Sequence, residues 1–259
     1  MIRRRLPRRL QYGEEATLVD HLGELRARLL VVGIAVAAAF VVTFVLHGRI
    51  IELLSHPLPD GRKLVTFGVT EPFLTAVKVS FFGALALALP VVLYQLWSFL
   101  APAVEENSQR LVARLALLST VLFAGGVAFA YVVVLPRALA FLTQFDAELY
   151  DVQIRASYYY SFVLLAVLGL ALVFQLPVFV LALVRLGIVD SGKLRRNRRI
   201  AMFLMVVVAV ALPTVDPVSL VLETVPMLLL FELSIWLAVL LERRMAAAEA
   251  RTWPLGEAH

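Results

Sequence analysis

The sequence predicts an all-α, polytopic membrane protein with six transmembrane helices, and three observations predict it. Of its 259 residues, 61% are apolar and 17% are charged, whereas an ordinary globular domain has about 45–50% and about 25%. Its mean hydropathy is +0.89. Its apolar residues also form runs near the roughly 20 residues that a helix needs to cross about 30 Å of hydrocarbon. Without cysteine, a disulfide-stapled secreted fold is excluded.

Four apolar segments are long enough to span a bilayer without further argument, at 29–46, 79–100, 115–135 and 158–184. A basic loop, 185–199, precedes a fifth segment at 200–212, which reaches only about 20 Å as a helix. We interpret it as a short span, the alternative being one arm of a re-entrant hairpin. A sixth segment, 218–241, completes the set.

Loop charges predict the orientation. In this topology 18 of the 24 Lys and Arg residues lie on one side of the membrane and six on the other. The positive-inside rule therefore places both termini in the cytoplasm, as a basic tail at 1–20 and a second tail at 242–259 of a single membrane domain, 1–259. The opening MIRRRLPRRL is not a cleaved signal, because the first apolar run begins only at Leu29. Basic clusters that flank apolar runs do not predict a nucleic-acid partner.

Three prolines fall inside apolar segments: Pro90, Pro177 and Pro226. Each removes a backbone donor and is expected to kink its helix. The kinks either shape a concave functional surface or serve packing alone. We find no internal repeat of broken helices, which counts against an inverted-repeat transporter.

Few polar side chains lie at membrane depth, and each should face protein or a watery cavity. Lys78 lies near one end of its segment, where snorkelling and a functional role are both open. Gln175, two residues before Pro177, either forms a hydrogen bond with a neighbouring helix or contacts a ligand. Glu223 and Glu232 lie on opposite sides of one helix and cannot line one path.

Motifs for catalysis are absent from the sequence. It contains no His-Glu-x-x-His, no Gly-x-Ser-x-Gly and no phosphate-binding glycine loop. The sequence therefore predicts a protein that is not an enzyme, with no metal site and no cofactor.

The segment 20–29, DHLGELRARL, precedes the first span. As a helix it places Leu22, Leu25 and Leu29 on one apolar stripe, and it allows Glu24 to pair with Arg28 four residues on. Glu24 thus lies at the cytoplasmic membrane surface, either in a solvated salt bridge or in a binding role.

Two long motifs resemble the TatC family, the receptor subunit of the twin-arginine protein translocase. Residues 20–29 are similar to its His-Leu-x-Glu-Leu-Arg-x-Arg-Leu signature. Residues 89–102, LPVVLYQLWSFLAP, resemble its Pro-x-x-x-Tyr-Gln-x-Trp-x-Phe-x-x-Pro run. Shorter similarities occur in order at 71–73, 129–136, 174–177, 216–219 and 226–232, so that the resemblance covers about 18–241.

The resemblance implies a six-helix cup in a prokaryotic inner membrane that binds the paired arginines of folded proteins' export signals at its cytoplasmic face. A guanidinium prefers a carboxylate in bidentate geometry, which lysine cannot copy. Glu24 is the predicted carboxylate. Arg26 would shape the same surface, while Phe99 and Trp97 would be apolar contacts or interfacial anchors.

The chain departs from the family where a second signal-binding glutamate is usual, because Ser108 stands there. Glu105 and Glu106 are the candidate replacements. Short segments five and six would present the docking face for single-span TatA and TatB type partners, with Thr214 and Asp216 as contact candidates. The family analogy further implies a multi-copy complex in membrane lipid that draws on the proton gradient.

Two other classes of function stay open at this point. A secondary transporter for a small solute would use Lys78 and Gln175 at one midplane site. A structural scaffold would bind neither a solute nor a signal peptide.

Overall fold

A computed structural model describes residues 18–59, 64–100, 108–149, 153–213 and 216–252. The prediction of a helical membrane protein is confirmed. In chain order the elements are α1 Leu18–Val45, α2 His47–Ser55, β1 Leu64–Val65, α3 Glu71–Leu100, α4 Ser108–Phe129, a π-helical turn Ala130–Val134, α5 Leu135–Gln144, β2 Ile154–Arg155, α6 Ala156–Val173, α7 Leu176–Arg185, α8 Ser191–Arg196, α9 Arg198–Ala211 and α10 Pro217–Thr252.

Five helical segments of the described chain are long and apolar enough to cross a membrane: His21–Val45, Glu71–Leu100, Val112–Gln144, Ala156–Arg185 and Pro217–Ala247. The predicted fifth span corresponds to α9, whose 14 residues reach about 21 Å. The count of six spans therefore stays a prediction. The prediction that the sixth segment is short is wrong. The corresponding helix, α10, has 36 residues and continues past its apolar part into charged sequence.

Helices α1 and α3 pack closely and fix their mutual register. Thr43 Oγ1 donates to the carbonyl of Ser80 at 2.7 Å. About one helical turn away, Ala39 of α1 packs against Ala84 and Ala88 of α3 in a buried contact. Small side chains allow this close approach, as is usual for helices packed within a bilayer. The N-terminal motif therefore lies beside the far end of α3.

The fourth apolar segment is interrupted at the predicted kink. Helix α6 ends at Val173 and α7 begins at Leu176, with Pro177 in the first turn of α7, where a missing N–H has no cost. The helix is thus divided just before Pro177, and the bend expected there stays a prediction. Pro90 and Pro226 lie inside α3 and α10, which continue through them, and the bends expected there stay predictions.

The third apolar segment contains a feature that the sequence analysis missed. A π-helical turn separates α4 from α5, and Pro136 follows it in the first turn of α5. Proline has no N–H to donate to the preceding turn, and helices commonly deviate from α geometry at such positions. Around it lies the largest hydrophobic cluster among the described residues, which includes the fully buried Val134, Leu135, Val163 and Leu170.

The other end of the bundle is tied by a carboxylate and a short sheet. Glu71 Oε1 accepts from Arg155 Nε at 2.9 Å and from the Ser157 amide at 3.2 Å, and its Oε2 accepts from the Phe67 amide at 3.0 Å. Beside it β1 and β2 pair in parallel, Leu64 opposite Ile154. The all-α prediction is corrected to this extent, because two loops meet in extended conformation where the sequence shows no strand-length run. We call this the Glu71 end.

Candidate functional site

The N-terminal motif forms an ion pair on one face of α1. Arg28 Nε donates to Glu24 Oε1 at 3.1 Å, and Nη2 donates to the same oxygen. The pairing expected from the four-residue spacing is thus present. About one fifth of each side chain is exposed, so the pair is partly desolvated yet reachable.

The end of α3 supplies two more acceptors to the same guanidinium. Arg28 Nη1 donates to Gln95 Oε1 at 3.3 Å, and Nη2 donates to the Ser98 carbonyl at 3.0 Å. Glu24, Gln95 and the Ser98 carbonyl therefore converge on one point. We call these three groups the guanidinium cradle.

An aromatic pair lies next to the cradle. The rings of His21 and Phe99 stack with their centroids 4.4 Å apart and an angle of 24° between their planes. Phe99, a predicted site residue, directly follows Ser98 in the chain and so lies beside the cradle. Arg26 is exposed. Leu22 and Leu29 are about 60% exposed, whereas Leu25 is half-buried, so two of the three residues of the predicted apolar stripe face away from the protein.

The cradle is suited to binding a guanidinium. A planar fork of five donors can satisfy a carboxylate, an amide oxygen and a carbonyl together, whereas an ammonium is a compact charge with three donors. Partial exclusion of water strengthens each charge-assisted bond.

A second polar contact joins three helices below the cradle. Trp97 Nε1 donates to Ser119 Oγ at 3.0 Å in the buried interior. Gln175 Nε2 donates to the Ser119 carbonyl at 3.0 Å, while its Oε1 is buried and accepts no hydrogen bond from any residue that the structure describes. The prediction of Trp97 as an apolar contact for the signal or as an interfacial anchor is wrong, because its indole N–H donates to Ser119 in the interior and only 4% of the residue is exposed.

The family model described as Sec-independent protein translocase protein (TatC) matches residues 20–226. The chain belongs to the TatC family. Relatives named Sec-independent protein translocase protein TatC include one from Listeria innocua, 35% identical over 88% of this chain and 94% of the relative. Another, from Escherichia coli K12, is 37% identical over 85% of this chain and 86% of the relative.

A crystal structure of a twin arginine translocase receptor, TatC, is similar with a TM-score of 0.76 and 32% identity, covering 86% of this chain and 99% of that chain. With five apolar helices of spanning length, membership of the TatC family makes this chain an integral inner-membrane component of a protein translocase.

The other site residues predicted for this TatC-family chain are placed only in part. Glu105, Glu106 and Thr214 lie outside the described residues. Asp216 is 3% exposed, and its Oδ1 accepts from the Ser219 amide at 2.8 Å. It thus caps the start of α10 in the manner of an N-cap residue.

The sequence predicted Glu24 and Phe99 as site residues and Arg28 as the partner of Glu24. It did not predict that Gln95, His21 and the Ser98 carbonyl lie beside them. Gln95 belongs to the second TatC-like motif, yet it lies 67 residues from Arg28. Spacing along the chain carries no information at that distance, and only the register of α1 against α3 brings the two motifs together.

Proposed function

We propose that this protein is the receptor subunit of a twin-arginine translocase, binding the paired arginines of export signals at the guanidinium cradle. The observation that best supports this proposal is that Glu24, Gln95 and the Ser98 carbonyl already bind a guanidinium, that of Arg28. An arriving arginine would meet acceptors arranged for its own head group.

Binding would begin with competition for Glu24. Both hydrogen bonds from Arg28 to this residue end on Oε1. An arriving arginine would therefore pair with Oε2 of Glu24 or displace Arg28 from Oε1. The stacked rings of His21 and Phe99 offer an apolar platform beside the cradle, and a guanidinium can stack on such a face. Lysine would lose the forked contacts.

The orientation in this proposal follows the positive-inside rule, with the cradle and both termini facing the cytoplasm. Glu105 and Glu106 would add carboxylates from the loop after α3 for the second arginine. Single-span TatA and TatB type partners would dock near α9 and α10. There Asp216 holds the start of α10, and Thr214 stands two residues before Asp216 in the sequence. Several copies would assemble in the membrane.

A peptide-binding measurement tests the proposal. The purified chain in lipid nanodiscs should bind a fluorescent twin-arginine signal peptide, and a peptide with Lys-Lys in place of Arg-Arg should bind more weakly. Glu24→Gln should weaken binding of the first peptide. Glu52→Gln is the matched control, because Glu52 is an exposed glutamate on α2, away from the cradle. Equal affinity for both peptides would contradict the proposal.

A solute transporter would need Lys78 and Gln175 at one shared site. In the structure Lys78 donates to Ser161, whereas Gln175 donates to the Ser119 carbonyl. The two polar groups are therefore engaged separately, and no observation favours a transporter.

A further inference from the structure

A groove of about 1060 Å³ runs between α1 and α3, away from the cradle. Its α1 wall includes Gly33, Ala37 and Phe40, and its α3 wall includes Leu74 and Phe81. Gly33 and Ala37 are exposed, and a Cβ added at Gly33 would meet no atom within 4 Å. The walls are thus apolar and have open space beside the small residues of α1.

The mouth of the groove, at the Glu71 end, is charged. Glu71, Lys78 and Arg155 all line it. The Glu71 carboxylate is already engaged by Arg155 and by two backbone amides. One positive charge, on Lys78, therefore remains without a carboxylate among the residues that the structure describes.

The Lys78 ammonium has more N–H donors than the one hydrogen bond described for it uses. Its Nζ donates to Ser161 Oγ at 2.8 Å, and the Ser161 hydroxyl in turn donates to the Ser157 carbonyl at 2.6 Å. Since an ammonium has three N–H donors, two are left for a ligand. An unpaired cation at the edge of an apolar groove favours an anionic group at that depth.

The length of the groove matches one leaflet. The hydrogen bond from Thr43 to Ser80 sets the register. Lys78 lies two residues from Ser80 and Gly33 ten residues from Thr43, which places them about 18 Å apart along the helix axes. One leaflet contributes about 15 Å of the hydrocarbon core.

We propose that this groove binds one phospholipid, its phosphate on Lys78 and one acyl chain lying along α1 toward Gly33. A phospholipid brings an anion to the edge of the hydrocarbon and an apolar chain below it, which is the pattern of the groove. A partner's transmembrane helix would have to carry an acidic side chain at this depth, which is costly in a bilayer. The lipid belongs to the leaflet at the Glu71 end, and its binding does not depend on signal recognition.

Native mass spectrometry of the full chain in maltoside detergent tests the proposal, with palmitoyl-oleoyl phosphatidylglycerol as the probe. The wild type should retain one such lipid. Lys78→Gln should weaken binding by about fivefold, the usual contribution of one basic side chain to lipid attraction. Arg49→Gln is its control, because Arg49 is an exposed cation outside the groove.

The acyl chain is tested separately with Gly33→Leu, which fills the inner part of the groove and should weaken lipid binding to a similar extent. Gly125→Leu is the matched control, an exposed helical glycine with open space around it but outside the groove. Palmitoyl-oleoyl glycerol, which lacks the phosphate, should bind the wild type about as weakly as phosphatidylglycerol binds Lys78→Gln.

Three results would overturn the proposal. Equal binding of the two lipids to the wild type would remove the role of the phosphate. Unchanged lipid binding in Gly33→Leu would remove the groove. Loss of co-purifying single-span subunits in Lys78→Gln and Gly33→Leu, with lipid binding intact, would assign the groove to a protein helix instead.

Discussion

Glu24→Gln and Arg28→Gln should change the affinity for a twin-arginine peptide in opposite directions. Glu24 provides the negative charge of the cradle, and the guanidinium of Arg28 occupies the cradle. A hydrogen bond to a charged group contributes about 1.5–3 kcal/mol. Because about one fifth of each side chain is exposed, the lower end applies. Glu24→Gln should therefore raise the Kd about tenfold.

Arg28→Gln should instead tighten binding, because it removes the internal competitor and leaves the carboxylate. A partly exposed ion pair on one helix is worth up to about 1 kcal/mol, so the gain should be about two- to fivefold. Fluorescence polarisation with labelled peptide measures both changes, and thermal melting of each variant checks that the contact between α1 and α3 survives. If both substitutions weaken binding equally while the fold is intact, Arg28 is part of the receptor surface and the competition argument fails.

The remaining predictions concern the bundle and can be measured by reversible unfolding in mixed micelles. Ser119→Ala should lower the free energy of unfolding by about 1–3 kcal/mol, because it leaves the Trp97 indole N–H buried and unpaired. Adding Trp97→Phe should then cost less than Trp97→Phe does alone, because only the cavity is new; strictly additive losses would contradict this. Gly126→Ala should cost about 1–3 kcal/mol, since its Cβ would lie 2.7 Å from a backbone atom of α6, whereas Gly125→Ala should be neutral or stabilising. Arg198→Gln, which breaks an exposed ion pair, should cost less than about 1 kcal/mol; a larger loss would show that this pair is structural.

Much of the fold could be predicted from composition and segment length. Crossing the hydrocarbon requires apolar helices of a roughly fixed length, so the long spans could be predicted from the sequence. The kink expected at Pro177 rests on a different property, the missing backbone donor of proline. The full length of α10 did not, because its end depends on helix propensity in a charged segment rather than on hydropathy. The two-residue sheet likewise depends on two loops meeting in space.

In the candidate site, too, the local contacts could be predicted from the sequence and the contacts between distant segments could not. Glu24 and Arg28 are four residues apart, so their pairing is a local property of one helix. Gln95 joins them only through the packing of α3 on α1, and Trp97 turned inward because Ser119 offers its indole a buried acceptor. Contacts between distant segments depend on register, which a single sequence does not encode in any visible period.

Site-specific photocrosslinking tests the central claim most directly. A photoreactive side chain at position 24, in the assembled complex in membranes, should crosslink to the paired-arginine region of a labelled export signal, and the same group at position 52 should not. Replacing the signal's arginines with lysines should abolish the crosslink. Equal crosslinking of the lysine signal, or crosslinks from position 52 but not from 24, would contradict the account.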